Sequence, residues 1–257
     1  MIVAQCSAGH AIDGSGRLAR EMTPTLSAID YQFEYFDAAL RSPDWRDATV
    51  LDFGGNQGGF LRDPLCTVRH ENYWSVDVSR RAIEAGARRF PRAHFVAYDR
   101  FHPLYNREGR KDVRIPPQRT FDFIIAYSVM THLLPSEMTA TVEELKAKLS
   151  PGGVLAFTFE DLGYKPVEEP SLSNYADSLR HCRRLGIEPK ASRRKGSWSI
   201  LADGEMFIET EAIGERGGMF LDVFYTPEAM RRFIPEAEIV PPPVYRQHCA
   251  IVRNVAQ

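Results

Sequence analysis

The segment Val50-Leu51-Asp52-Phe53-Gly54-Gly55-Asn56-Gln57-Gly58-Gly59-Phe60 is where residue types and spacing first point to chemistry. An apolar run ends in a carboxylate and then in glycines, the pattern of a strand that turns sharply into a helix. Glycine accepts positive φ and lets the backbone approach a ligand closely. The dinucleotide fingerprint G-x-G-x-x-G is not met, because Asn56 stands where its second glycine belongs. Asn tolerates a left-handed backbone, so the turn itself is expected to survive. Two further acids, Asp77 and Asp99, each follow a short apolar run. A carboxylate just past a strand can accept both hydroxyls of a ribose.

Elements must hold these residues in place. Thr49–Phe53, Tyr73–Asp77, His94–Tyr98, Phe121–Ser128 and Val154–Phe159 read as buried strands. Between them lie helical spacings. Ser79 is expected to cap a helix with Ile83 and Ala87 on one face, and Ser136–Leu149 carries Met138, Val142, Leu145 and Leu149. Ser150-Pro151-Gly152-Gly153 would stop that helix. A further helix is expected over Ser27–Leu40, on Ile29, Phe33, Phe36 and Leu40. Strand–helix alternation of this kind predicts an α/β fold, a parallel sheet covered on both faces, with ligands at the carboxyl ends of the strands. Residues 161 to 218 break the rhythm. They suggest a helix through Tyr175, Leu179, Cys182 and Leu185, then a hairpin turning at Ala202-Asp203-Gly204. Beyond them come a strand-like FLDVFY, a helix start at Thr226-Pro227, and a closing strand near Tyr245–Val252.

The Asp52–Gly58 segment resembles motif I of class I S-adenosylmethionine (SAM)-dependent methyltransferases, D-x-G-x-G-x-G, with Asn56 departing from the central glycine. FDFIIAYSVMTHLLP resembles the segment after the fourth strand in methyltransferases of small molecules. SPGGVLAFTF resembles their L-x-P-G-G-x-L-x-x-T segment. The resemblance covers about half the chain. It implies a Rossmann-like, doubly wound, seven-stranded sheet, mostly parallel with an antiparallel last strand, plus an inserted helix/hairpin lid. It also implies SAM as cofactor, bound by Asp52, Gly54, Gly55, Asn56, Gly58, Asp77, Val78, Asp99, Arg100 and Tyr127. In the family Asp77 would take the ribose and Asp99 the adenine amino group, with Arg100 or Phe101 packing on the ring. Tyr127 is open between lining the methionine end of the cofactor and core packing. His132 and Glu160 are the candidates for catalysis. His132 is either a general base or a structural cap, and Glu160, with Asp161, either takes a proton or amine or faces water.

The expected organisation is one methyltransferase domain over 1–257: an N-terminal lid segment (1–45), a SAM-binding core (46–160), a substrate or lid insertion (161–218) and C-terminal sheet strands (219–257). A formal net charge of −2 argues against a whole-molecule polyanion binder. The local run Arg180, Arg183, Arg184, Lys190, Arg193, Arg194 and Lys195 suits a solvated face, an anionic substrate, a carrier protein or an RNA backbone. Cys6, Cys66, Cys182 and Cys249 are too scattered for a zinc site or a disulfide framework, so no metal is expected. The absence of a signal sequence or a long apolar run points to a cytoplasmic protein without a membrane span. The function expected is SAM-dependent methylation of O, N or C on a small or medium-sized metabolite. RNA methylation through the basic run, a non-catalytic SAM-binding protein and a nicotinamide oxidoreductase are the competing readings. The base-amino motif [D/N]-P-P-[F/Y] is absent, as Ala126-Tyr127-Ser128-Val129 occupies its place.

Overall fold

The computed structural model describes residues 31–102, 105–160, 192–193, 196–200, 206–213, 218–241 and 247–254. Five strands lie parallel in the order β3 (His94–Ala97), β2 (Tyr73–Asp77), β1 (Val50–Phe53), β4 (Phe121–Ala126) and β5 (Leu149–Glu160). The last strand, β11 (Gln247–Arg253), pairs antiparallel with β5 over Val154–Glu160. In turn β10 (Glu238–Val240) pairs antiparallel with β11. These seven make the expected Rossmann-like sheet.

The strands alternate their side chains between two cores, as a period of two requires. Leu51, Ile124 and Leu155 face one side with Met138, Val142 and Leu145 of α4 (Pro135–Lys146). Their neighbours Val50, Ile125 and Ala156 face the other, with Phe33, Tyr35 and Phe36 of α1 (Gln32–Ala39) and Phe60 of the short α2 (Gly59–Arg62). Burial on both faces explains why β1, β4 and the Val154–Phe159 part of β5 are mainly apolar rather than alternating.

α3 (Arg80–Arg89) starts where expected, with Ser79 Oγ accepting from the Ala82 N–H at 3.3 Å. Its buried face is Ala82, Ile83 and Gly86, and Ala87 is exposed. Gly86 is drawn inward because a β-carbon there would lie 2.1 Å from the Phe95 ring, so the helix rests directly on β3.

Two boundaries differ from expectation. α4 ends at Lys146, and Leu149 opens β5 instead of closing the helix. Ser150-Pro151-Gly152-Gly153 therefore lies within β5 as an irregularity, where the β4 ladder jumps from Phe121↔Leu149 to Phe123↔Val154. The FLDVFY strand, β9 (Gly218–Tyr225), does not provide the sixth strand of the sheet. It ends an antiparallel ribbon with β6 (Ser192–Arg193), β7 (Gly196–Ile200) and β8 (Met206–Ile213). The sixth strand is β10, too short to show any periodicity in sequence. The expected β7–β8 hairpin is present, though its turn residues 202–204 lie outside the described residues, as do residues 1–30, the helix expected over 175–185 and most of the basic run.

The ribbon meets the sheet at one place, Phe224 beside Glu160. Gln247 of β11 already occupies the other edge of Glu160. β9 therefore takes the edge of β5 that β4 vacates after Ala126, above the carboxyl end of β4. α5 (Pro227–Phe233) follows, capped by Thr226 Oγ1 accepting from Ala229 N–H. Among the described residues no helix is long and apolar enough to cross a membrane.

Candidate functional site

The turn after β1 is built from beneath by Asp52. Its side chain is 1 % exposed and accepts a hydrogen bond from the hydroxyl of Tyr73, itself fully buried on β2. Burial pushes the Asp52 carboxyl up to about 7, while the Tyr73 hydroxyl pulls it the other way. A β-carbon at Gly55 would lie 2.6 Å from the Asp52 carboxylate, so only glycine lets the turn settle on this acid. Gly54 adopts φ 76° and would direct a β-carbon to within 2.3 Å of Val129 Cγ2, in the turn after β4. The turns after β1 and β4 thus touch. Asn56 takes the left-handed φ of 51° expected of it, and Gly58 follows at 81°.

Asp77 ties the turn to β2. Its Oδ2 accepts from the Asn56 N–H at 3.0 Å and its Oδ1 from the Ser79 N–H at 2.7 Å. Burial raises the Asp77 pKa, and the N–H groups of Ser79, Asn56 and Val78 oppose the rise. One strand further out, Asp99 is about half exposed, and its Oδ1 accepts from Asn106 Nδ2 at 3.3 Å. Tyr98 links the two, its N–H donating to the Asp77 carbonyl at 2.8 Å. Phe101 stands 40 % exposed beside Asp99. Arg100 instead reaches back to Glu137 of α4 at 3.7 Å.

At the ends of β4, β5 and β11 a second cluster forms. The Gln247 side chain, 93 % buried, donates from Nε2 to Ser128 Oγ at 2.7 Å and to Glu160 Oε1 at 3.2 Å. A carboxylate only accepts, so the amide can face it only by its NH2 group. Tyr35 of α1 donates its hydroxyl to the Gln247 carbonyl at 2.8 Å, and Ser128 N–H donates to Thr158 Oγ1 at 2.7 Å. Ser128 is held at φ 57°, a left-handed backbone that costs a non-glycine residue about 1–3 kcal/mol. Next to it, the 3-10 turn Met130–His132 is pinned to the ribbon by the Tyr225 hydroxyl, which donates to the Leu133 carbonyl at 2.9 Å. His102, in the loop after β3, feels the His132 charge. Burial first and His132 second lower its pKa.

Residues 51–155 match the family model described as a methyltransferase domain. Those residues thus form a methyltransferase domain. Solved structures are similar to it at low identity. DesVI of Streptomyces venezuelae matches at 14 % identity over 89 % of this chain and 93 % of that one, with a TM-score of 0.50. CalS10 of Micromonospora echinaspora, described as an amino pentose methyltransferase, matches at 16 % identity over 89 % and 92 %, with a TM-score of 0.49. A SAM-dependent methyltransferase of Clostridium acetobutylicum matches at 12 % identity over 88 % and 94 %, also at 0.49.

The acids present suit SAM as the cofactor of such a domain. A carboxylate offers about four acceptor positions. Asp77 spends some on backbone N–H groups, which leaves others for hydroxyl donors. Asp77, Val78, Asn56, Gly54, Gly55 and Gly58 come together around one turn, with Asp99 on the adjacent strand end. Asp52 lies under that turn, its carboxylate committed to Tyr73 and shielded by Gly55. Arg100 points to α4. Tyr127 packs edge-on against Tyr35 and Phe36 at 5.6 and 6.3 Å between ring centroids, on the α1 side of the sheet. Glu160 and His132 both sit above β4, in different company: Glu160 with Gln247 and Ser128, His132 with His102. Asp161 lies outside the described residues. Sequence reasoning did not find Ser128, Gln247, Tyr35, Val129 or Asn106. Ser128 sat within a recognised segment, but Gln247 and Tyr35 carry no local signal, since β11 and α1 deliver them from the two ends of the chain. Among the described residues no three His, Cys, Asp or Glu groups gather as a metal site.

Proposed function

We propose that this domain transfers the SAM methyl group to a small-molecule acceptor held above the carboxyl ends of β4 and β5. The observation that carries the reading is the Asp77–Asn56 hydrogen bond. It binds a ribose-competent carboxylate to the glycine-rich turn, so that one nucleoside can touch both. In this reading Asp77 takes the ribose hydroxyls, and Asp99 the adenine amino group with Phe101 against the ring. The backbone of Gly54–Gly58 and Val78 frames the cofactor, and Asp52 acts through the turn. SAM supplies an electrophilic methyl on a sulfonium. The protein's task is to bring a nucleophile into line with it and keep water away.

Glu160 is the better-supported group on the acceptor side. Gln247 holds its carboxylate and β9 pairs with its backbone, above the β4 tip, where the carboxylate can pair with an amine or take a proton from a hydroxyl. His132 is the second candidate for a base, with His102 beside it. The single-domain organisation over 1–257 belongs to the same reading, with the ribbon β6–β9 and residues 161–218 covering the acceptor. So does the assignment of an anionic part of the substrate, or of a carrier protein, to the basic run.

Isothermal titration with SAM and with its demethylated product, S-adenosylhomocysteine (SAH), tests the cofactor half. Micromolar binding of both is expected, and no heat at millimolar ligand would overturn it. Transfer of labelled methyl from SAM to members of a metabolite library tests the acceptor half. Labelling of RNA in place of small molecules would overturn that half alone.

A further inference from the structure

The loop after β3 folds back on itself. His102 and Asn106 exchange backbone hydrogen bonds at 2.8 and 3.1 Å. The Phe101 N–H donates to the Arg110 carbonyl at 2.7 Å, and the Arg110 N–H to the Asp99 carbonyl at 2.8 Å. Inside this fold lies the Asn106 amide. Its Nδ2 donates to Asp99 Oδ1 at 3.3 Å and to the Arg100 carbonyl at 3.1 Å. Both partners are acceptors, which fixes the amide's orientation. Gly109 makes room for it: a β-carbon there would lie 2.5 Å from Asn106 Nδ2 and 2.6 Å from the Arg100 carbonyl. Arg80 approaches the same Asp99 oxygen at 3.5 Å from an exposed position, where solvent screens it. Every hydrogen bond described at the Asp99 side chain therefore falls on Oδ1.

The geometry points to Asn106 as a positioning residue for base recognition. By holding Oδ1 of Asp99, it turns Oδ2 outward to receive the exocyclic amino group of adenine. This rests on the assignment of Asp99 to that amino group under the proposed function. A half-exposed aspartate would otherwise sample several rotamers and lose that freedom on binding. The Asn106 amide removes the loss before the ligand arrives. The loop thereby selects a 6-amino purine, since an unmet carboxylate oxygen disfavours a base that lacks the donor.

The test is titration of the full chain with SAH and with its 6-deamino analogue, in which purine replaces adenine. The wild type is expected to bind SAH more tightly. Asn106→Ala is expected to weaken SAH by about 2- to 10-fold, the size of one hydrogen bond, and to leave the analogue unchanged. Gly109→Ala displaces the amide without removing it and is expected to repeat that pattern. Asn106→Asp, which sets a second carboxylate against Asp99, is expected to lose at least as much. Equal loss for both ligands in Asn106→Ala and Gly109→Ala would show that Asn106 merely stiffens the loop, and no loss for either would show that it does nothing. Both results overturn the inference. A wild type that does not discriminate the two ligands would remove the Asp99 assignment, and this inference with it. Preserved discrimination that is insensitive to Asn106 would sink the inference alone.

Discussion

The backbone N–H of Asn56 lies 3.0 Å from Oδ2 of Asp77, joining the turn after β1 to the end of β2. Asn56 itself takes a left-handed backbone at the point where the two meet. In the proposed reading Asp77 serves the protein and the cofactor together. Asp77→Ala should release the turn and remove the ribose acceptor, weakening SAM by about 1–3 kcal/mol. Asp77→Asn keeps one acceptor oxygen and should lose less. Calorimetric affinities that match wild type in a folded Asp77→Ala variant would mean that ribose binds elsewhere.

Gly54 and Val129 are as tightly related. At φ 76° with Val129 Cγ2 in its path, Gly54→Ala combines backbone strain with a steric collision. A loss of about 2–4 kcal/mol in denaturant unfolding is expected from the two together. Val129→Ala in the same chain removes the collision but not the strain, so it should return part of the loss. A double variant no better than Gly54→Ala would show that Val129 is not the obstacle.

Asp52 gives the stability a pH dependence. Burial raises its folded-state pKa from the ordinary carboxylate range to about 7, so folding favours the protonated form. Its contribution is then complete below about pH 4 and is lost as the pH rises through about 7. Asp52→Asn, which stays neutral and can still accept from Tyr73, should abolish this component. Melting curves should show the variant gaining on wild type between pH 4 and 8, at about 2–4 °C for each kcal/mol. A constant difference across that range would refute the assignment.

Gln247 holds Ser128 and Glu160 from the last strand. Gln247→Leu leaves the half-buried Ser128 and Glu160 groups without this donor, and about 1–3 kcal/mol of stability should go with it. SAH affinity should be kept, because the cluster lies on the acceptor side. A large drop in SAH affinity with an unchanged melting temperature would place Gln247 at the cofactor instead.

The five parallel strands and their order of use were legible in the sequence. Each reads as a short, mainly apolar run, and the first three are closed by Gly54, Asp77 and Asp99. Asn56, Ser79 and Thr226 were legible as well, because turns and caps are set by the residue's own backbone preference. The edges of elements were not. Leu149 fits the helical spacing of α4, yet pairing with Phe121 draws it into β5. Ala87 fits the α3 stripe, but Gly86 offers the closer approach to Phe95. β10 is too short to have a pattern, and β9, with a strong one, belongs to the ribbon.

What the amino-acid sequence determined alone was the glycine-rich turn and the acids beside it, whose spacing follows from strand and helix lengths along one continuous stretch. Only the tertiary structure decided the cluster where Tyr35, Ser128, Glu160 and Gln247 meet. Those residues come from α1, β4, β5 and β11, and no local preference encodes their meeting. It follows from the antiparallel docking of the last strand against β5, a pairing made by long-range ladder hydrogen bonds and burial.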